Sequence, residues 1–363
     1  SDLIYRNPAF DVKMIGFDVP HHVYAPIIGS DIVRTSKNDF YVLEDNCRIP
    51  SGVSYMIENR EIMMRMFPDI FQQMKVESVD NYPQHLLNTL MSLKPKNCYG
   101  EPNVVLLTPG PLNSAYYEHT YLADTMGIEL VQGNDLYVED GITYMMTTVG
   151  PKKIDVIYRR IDDKFLDPLS YDNSSLIGIP GLFDSYKSQN LTIASAPGSG
   201  IADDKAIYSF MPDIIKFYLG EKPILNNIMT YSCYNTEDRK YVLDNIHKLV
   251  IKEVHGAGGY GMLIGDRASK TNIDLFKKKI SKNPSGYIAQ PILDLSTVPI
   301  FDNANLSERH VDFRPFCLVG SNFRKLVSGG LTRVALKEGS LVVNSSQGGG
   351  VKDTWVLADK DAK

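Results

Sequence analysis

The chain is 363 residues long, 43% hydrophobic and 22% charged, the composition of an ordinary globular protein with room for two or three structural units. A net charge of -5 and a pI near 5.8 exclude the basic face that nucleic acid or an anionic membrane would demand, and no apolar run approaches the ~20 residues of a membrane span. Cys47, Cys98, Cys233 and Cys317 are far apart, with no Cys-x-x-Cys spacing, so they read as reduced thiols of a cytoplasmic protein and not as a disulfide framework or zinc site. Asp2-Leu-Ile-Tyr-Arg6 does not read as a signal peptide. Because Ser1 leads straight into an apolar and aromatic segment, an upstream portion is expected.

Ile27–Arg34 and Phe40–Asn46 read as strands joined by the polar residues Thr35–Asp39. Period-two alternation puts Val42, Glu44 and Asn46 on one face, and antiparallel pairing would bring Asp31 across from them. A carboxylate and a Glu-x-Asn would offer three oxygens to a hard cation such as magnesium, which takes a few protein oxygens and completes its shell with substrate phosphates. The alternative is an exposed acidic hairpin. From Ser54 to Phe67, Met56, Ile57, Met63, Met64 and Phe67 spell an amphipathic helix with its methionines toward the core. Ser51 and Ser54 are candidate caps. Helical character continues from Asp69 to Leu93, with a break expected at Pro83.

Residues 103–200 alternate strand and helix. Val104–Thr108, Glu129–Val131, Leu136–Val138 and Ile154–Tyr158 are strand-like, and a helix through Tyr121 stops at Gly127. This predicts a small α/β unit with parallel pairing. Arg159 and Arg160 close a strand, at the end where open α/β sheets bind ligands; surface salt bridges are the alternative. Glu118-His119 lies inside the helix, where the histidine reads as structural. Gly198–Gly200 reads as a linker. Helices follow through Phe210, Ile214 and Phe217 to Gly220, and over Tyr241–Leu249.

The apolar run from Leu249, interrupted by Lys252, enters Gly256, Gly258, Gly259 and Gly261 and leaves through Met262-Leu-Ile264. Amides of such a loop can cradle a phosphate, and the strand lysine can add a charge-assisted contact. The spacing also satisfies Gly-x-Gly-x-x-Gly, but that fingerprint needs a helix directly after the loop, and the next helical pattern begins near Thr271. A flap between two strands is therefore expected, either a phosphate cover or a plain hairpin. Next come a helix over Thr271–Lys282, with Lys277–Lys279 on its solvated face, and a strand over Tyr287–Leu293. An antiparallel meander is predicted over Val311–Val319, Lys325–Val327, Leu331–Leu336 and Ser340–Val343, and Asn344–Trp355 reads as a second glycine-rich loop.

Taken in order, Asp204-Lys205 before a helix, Lys252 ahead of the flap, Tyr287-Ile-Ala-Gln290 and Asp312-Phe-Arg314 resemble the ATP-grasp superfamily. Its magnesium carboxylates normally come last. Here the C-terminal strands offer only Glu338, and the acidic set stands at the N-terminus, as a circular permutation would place it. The stretches Val42–Tyr55, Leu107-Thr-Pro-Gly110, Asp203-Asp-Lys205, Arg309–Arg314, Gly329–Ala335 and Asn344–Trp355 are similar to the circularly permuted ATP-grasp type 2 proteins, relatives of the glutathionylspermidine synthase ATP-grasp domain.

That resemblance implies an α/β (α+β) chain with a circularly permuted ATP-grasp fold and a small pre-ATP-grasp-like α/β unit. Residues 1–60 would hold the permuted metal-ligand strands, 61–100 a helical connector, 101–200 the small unit, and 201–363 the nucleotide-binding part and C-terminal meander. It implies ATP and Mg2+ as cofactors. Lys205, Lys252, Gly256, Gly258, Gly259 and Gly261 would serve the phosphates, and Gln290 and Leu293 the adenine. Asp31, Glu44 and Asn46 would hold the metal. Arg314 and Arg333 would clamp an acyl phosphate and Arg48 would meet substrate, each arginine having a structural ion pair as its alternative. The activity implied is a ligase that joins a small-molecule or peptide carboxylate to an amine with release of ADP. A phosphotransferase on the same fold and a non-catalytic nucleotide- or partner-binding module are the alternatives. No nucleic acid or membrane partner is expected.

Overall fold

The computed structural model describes residues 2–256, 261–302, 305–343 and 349–358, with Asp2 and Asp302 described by backbone alone. Gly258, Gly259 and the start of the second glycine-rich loop lie outside the described residues.

After a single turn (α1, Asp2–Tyr5), the hairpin of β1 (Ile27–Arg34) and β2 (Phe40–Asn46) leads to α2 (Val53–Met66), α3 (Pro68–Met74) and α4 (Tyr82–Ser92). Pro83 starts α4 where a break was expected; a first-turn proline costs no intrahelical bond, because that N–H has no partner anyway. Next come β3 (Val104–Leu107), α5 (Tyr116–Met126) and β4 (Glu129–Val131), then a meander of β5 (Leu136–Glu139), β6 (Ile142–Thr147) and β7 (Gly150–Lys153). β8 (Val156–Arg159), α6 (Leu182–Lys187) and β9 (Thr192–Ala194) complete the unit. The order β4-β3-β8-β9 is a parallel sheet, the α/β unit read from the alternation. The residues of β3, β8 and β9 are buried throughout, as strands covered on both faces require.

Gly198–Gly200 is not a linker. The chain makes a tight turn over Ser199–Asp203 that packs on the N-terminal segment, and a Cβ on Gly200 would lie 3.2 Å from that of Ala9 and 3.3 Å from Cδ of Arg48. Beyond it run α7 (Lys205–Tyr208), α8 (Met211–Leu219), β10 (Asn226–Asn227), β11 (Tyr231–Ser232) and α9 (Thr236–Asn245). β12 (Leu249–Glu253), β13 (Leu263–Ile264), α10 (Lys270–Lys282) and β14 (Tyr287–Pro291) follow. Strands β11-β14-β12-β13 form an antiparallel sheet. Leu249, Ile251 and Ala289 face α9 and α10, packing on Val242, Phe276 and Ile280. Alternation turns Val250, Lys252 and Gln290 to the opposite side, where they line a cavity.

The chain closes with β15 (Thr297–Asp302), β16 (Asn305–Val319), β17 (Arg324–Val334) and β18 (Gly350–Asp353). Of the two runs expected as separate strands, Lys325–Val327 and Leu331–Leu336, the first and the second as far as Val334 belong to the single strand β17, and Ser340–Val343 is not a strand. Gly330 stands opposite Pro315 in the ladder, and a Cβ there would collide with the Phe313 ring and the Arg314 carbonyl. The register shifts between Pro315 and Cys317, a bulge of the kind that tolerates a proline inside a sheet.

The order β10-β2-β1-β16-β17-β18, with β15 also on β16, inserts the N-terminal hairpin beside the C-terminal strands. α2, α4 and α5 fill the space between this sheet and the parallel one. Met56, Leu86 and Leu122 share a core with Phe316 and Leu331 from one sheet and Leu106 from the other, each such burial being worth about 1.5–3 kcal/mol. The four cysteines are all unpaired, and no helix among the described residues is long and apolar enough to cross a membrane.

Candidate active site

A cavity of about 1140 Å3 lies between the sheet that holds β1, β2, β16 and β17 and the sheet that holds β12 and β14. A small-molecule site typically occupies ~300–1,000 Å3, so there is room for a nucleotide-sized ligand and a second, smaller one.

Its ionic floor comes from the two ends of the chain. In the β1–β2 ladder Asp31 faces Glu44 and Gly29 faces Asn46, with a bulge directly after Asp31. Asp31 is 1% exposed and spends both oxygens on arginines. Arg314 Nε and Nη2 donate to Oδ1 and Oδ2 at 2.5 and 2.8 Å, and Arg333 Nη2 donates to Oδ2 at 2.6 Å. Arg333 also forks onto Asp312, at 2.7 Å from Nε to Oδ1 and 2.6 Å from Nη2 to Oδ2. Burial alone would raise Asp31, but the two guanidiniums outweigh it and hold the carboxyl below the usual range. Burial pushes Asp312, which shares one guanidinium, up to about 6.

Glu44 is engaged as well. Lys205 Nζ lies 3.1 Å from its Oε2 and donates to the Gly256 carbonyl at 2.7 Å. Asp204, the N-cap of α7, accepts from the amides of Ala206 and Ile207 and thereby fixes the turn that aims Lys205. Lys252 reaches the floor from β12, half-buried, and has no hydrogen-bond or ion-pair partner among the described residues. Burial lowers its pKa to about 8 against the pull of Glu44, and the charge of Lys205 adds to the drop. Asn46 Nδ2 donates to the Gly29 carbonyl at 3.2 Å, and its amide oxygen has no hydrogen-bond partner among the described residues. Among the described residues no group of three or more His, Cys, Asp or Glu side chains is assembled to hold a metal by itself.

β12 and β13, on either side of the glycine run, pair antiparallel, so the next described element after the run is a strand and not the helix a dinucleotide fingerprint needs. Gly256 lines the cavity; Gly261, at φ 69°, lies against the Glu253 carboxylate and does not. Gln290 is buried and donates to Thr230 Oγ1 at 3.0 Å, bracing the wall, while Leu293, Val250, Met262 and Ile264 are among the apolar residues of the cavity lining.

At the other end Arg48 Nη1 lies 2.8 Å from Asp162 Oδ1, and Asp203 accepts from the amides of Cys47 and Arg48 at 2.5 and 3.1 Å. The segment after Arg48 is gripped residue by residue. Arg160 Nη1 donates to the Pro50 carbonyl at 2.9 Å, Arg314 Nη1 to the Ser51 carbonyl at 3.2 Å, and the Gly52 and Ser54 amides to Glu118 Oε2 at 2.6 and 3.2 Å. Gly52, at φ 107°, is the N-cap of α2, so neither Ser51 nor Ser54 holds that position; a carboxylate from α5 does the capping. Glu118 and Arg160 pair at 2.9 Å with 1% of each side chain exposed. Both arginines form ion pairs, but from buried positions: Arg160 with the buried Glu118, and Arg159 Nη1 at 2.5 Å from Oδ1 of the partly exposed Asp163. Arg159 is wholly buried and donates to the carbonyls of Ser195, Ile161 and Ala196. His119 is structural, 2.8 Å from Thr108 Oγ1, with burial holding its pKa near 3.

Glu118 and Asp312 enter the site without a role assigned to them there from the sequence, whereas Arg160, a strand-end candidate, serves instead as the buried partner of Glu118. For Asp312 a signal existed: Asp312-x-Arg314 repeats the period-two spacing of Glu44-x-Asn46. For Glu118 none did, since its partners lie 64 and 66 residues away.

A family model described as circularly permuted ATP-grasp type 2 matches residues 1–335. An uncharacterized protein of Synechocystis sp. is 50% identical over 98% of this chain and 74% of its own length. A Frankia alni protein with the provisional name glutamate–cysteine ligase 2-3 is 38% identical over 90% of this chain and 38% of its own length. The chain spans under two-thirds of the mycobacterial relatives it matches at 48% identity. Among solved structures, a glutathione synthetase-like effector from Globodera pallida, in its apo form, superposes with a TM-score of 0.58 at 11% identity, over 95% of this chain and 79% of that one; the likeness is one of fold.

Proposed function

The chain belongs to the circularly permuted ATP-grasp type 2 family, and from that premise we propose that it is an ATP- and magnesium-dependent carboxylate–amine ligase of the cytoplasm. The observation that carries this reading is Lys252. A half-buried ammonium with no partner among the described residues, in one cavity with Lys205, Arg314 and Arg333 whose charges are matched, is a seat for an anion. A polyphosphate suits it, and the apolar lining residues Val250, Met262, Ile264 and Leu293 suit a nucleobase.

Glu44, Asn46 and Asp31 are the residues that would hold the metal; few oxygens of this type, completed by phosphate, suit magnesium. When bound, the ion neutralises charge on the phosphoryl group. Arg314 and Arg333 bind the transferring phosphoryl oxygens, and Arg48 orients the substrate carboxylate. An oxygen of that carboxylate bonds to the γ-phosphorus as the bond to ADP breaks. The amine then attacks the carbonyl carbon of the acyl phosphate, phosphate leaves, and the surplus amine proton passes to solvent. Positioning and cations aimed at developing charge supply the catalysis, so no nucleophilic side chain is required. The name of the Frankia relative supports amino acids as the first substrates to try, although the match covers 38% of that protein.

The test is to incubate the chain with ATP, Mg2+ and a panel of amino-acid and short-peptide carboxylates, with hydroxylamine as the amine. Equal amounts of ADP and hydroxamate are expected, both lost in Glu44→Gln. ADP with a stable phosphorylated product and no hydroxamate would assign phosphotransfer instead.

A further inference from the structure

Each carboxylate proposed for the metal is already held by a cation proposed for the phosphates. Glu44 is on Lys205 at 3.1 Å, and Asp31 is on Arg314 and Arg333 at 2.5 and 2.6 Å, with Arg333 shared with Asp312. Lys252 is the cation left over. Resting on the ligase reading, we infer that nucleotide and metal enter by an exchange of ion pairs: Glu44 and Asp31 open to a divalent cation only as phosphate oxygens take over Lys205, Arg314 and Arg333.

The physical case is one of matched charge at low exposure. Asp31 and Arg314 side chains are 2% and 9% exposed, and that of Lys205 is 15% exposed. Pulling one member from such a pair strands its partner in a poorly solvated place, which costs far more than the pair itself contributes. A divalent cation arriving alone would meet an Asp31 with both oxygens taken and a Glu44 already paired through Oε2, with Lys252 adding repulsion. Polyphosphate arriving alone could dock at Lys252, but drawing in the other cations would strand Asp31 and Glu44. When both arrive, every charge changes partner and none is left bare. Metal affinity in the free chain is thus blocked by Lys205 and the arginines, not by a lack of oxygen donors.

Mn2+ binding to the full chain, followed by the EPR signal of the free ion, tests this with and without the non-hydrolysable analogue AMP-PNP. Wild type should bind Mn2+ negligibly alone and well with AMP-PNP. Lys205→Met should bind Mn2+ alone roughly tenfold more tightly than wild type, the scale of one released buried partner, and Glu44→Gln in the same chain should remove that gain. In the mirror experiment, Asp31→Asn should bind metal-free AMP-PNP more tightly, because it frees Arg314 of its carboxylate and leaves Arg333 with Asp312 alone. Should Asp31→Asn fail to fold, Lys205→Met decides alone. A Lys205→Met chain with wild-type circular dichroism and melting that binds Mn2+ no better than wild type overturns the exchange and leaves the ligase reading standing. Wild type that binds Mn2+ equally well with and without AMP-PNP does the same. A chain that binds neither probe in any combination sinks the ligase reading and the exchange together.

Discussion

Glu118→Ala tests how the wall around Arg48 is held. The carboxylate serves Arg160 on one oxygen and the amides of Gly52 and Ser54, with the Ser54 hydroxyl, on the other. Removing one member of a buried pair costs about 3–5 kcal/mol, and each orphaned buried amide would cost roughly 1–3 kcal/mol by itself. These costs overlap, because Arg160 keeps the Pro50 carbonyl and the Tyr158 hydroxyl, so a loss of about 4 kcal/mol is expected out of a total of ~5–15. Glu118→Gln, which keeps shape and one good acceptor, should lose about half as much. Urea unfolding followed both by helical circular dichroism and by the fluorescence of Trp355, which packs on Phe71 at 4.5 Å, would measure the loss and show whether the units unfold together. A further variant separates charge from shape: Glu118→Leu with Arg160→Met should be more stable than Glu118→Leu alone, because the second change removes the stranded charge. A cost below about 1 kcal/mol for Glu118→Ala, typical of a surface position, would refute the claim that this pair builds the wall.

Lys252 makes stability depend on pH in a stated direction. It loses its proton near pH 8 when folded but near 10.5 when unfolded, so between those values unfolding takes up a proton and its contribution to stability rises with pH. Lys252→Met should therefore melt higher than wild type at neutral pH, and that advantage should fade toward pH 10.5; a pH-independent difference counts against the assignment. Polyphosphate should restore the proton, so calorimetry at pH 9 in two buffers of unlike ionisation heat should show proton uptake on nucleotide binding. Gly330→Val should destabilise by about 1–3 kcal/mol or more, because its Cβ would strike the Phe313 ring and the Arg314 carbonyl, and chemical denaturation would read it. Arg60 donates to Asp353 and to the carbonyls of Glu77 and Thr354 at 2.7–2.8 Å, so Arg60→Lys should speed proteolytic clipping of the β18 segment.

The legible parts of the fold were those set by short-range pattern. The hairpin of β1 and β2, the helix α5 with its glycine stop and the parallel unit all follow from periodicities of two and 3.6 residues, which neighbouring residues impose on each other. The misreadings fell where a contact far along the chain decides. Lys325–Val327 and Leu331–Leu336 read as separate strands, with Gly329-Gly330 lying between them, and glycine has low strand propensity. In β17 it is what lets the Pro315 bulge come close. Gly198–Gly200 likewise looked like a tether, yet its missing side chains admit Ala9 and Arg48.

At the site, residue types could be read but partnerships could not. Glu44-x-Asn46 and Asp31 are visible as a potential oxygen set because alternation along a strand is local. That Arg314 would spend its fork on Asp31 is a statement about two residues 283 positions apart, and it depends on a sheet that only the complete chain can close. The permuted order makes this unavoidable: the acids arrive with the first strands and the arginines with the last. In the unfolded chain both are solvated and free, and closing β1 against β16 desolvates them together. Charge neutralisation across that seam is therefore a condition for burying it, and the pairs seen in the free site are what the fold requires before any ligand arrives. A ligand that carries both signs can replace those pairs without unbalancing the seam, whereas a bare cation or a bare anion cannot.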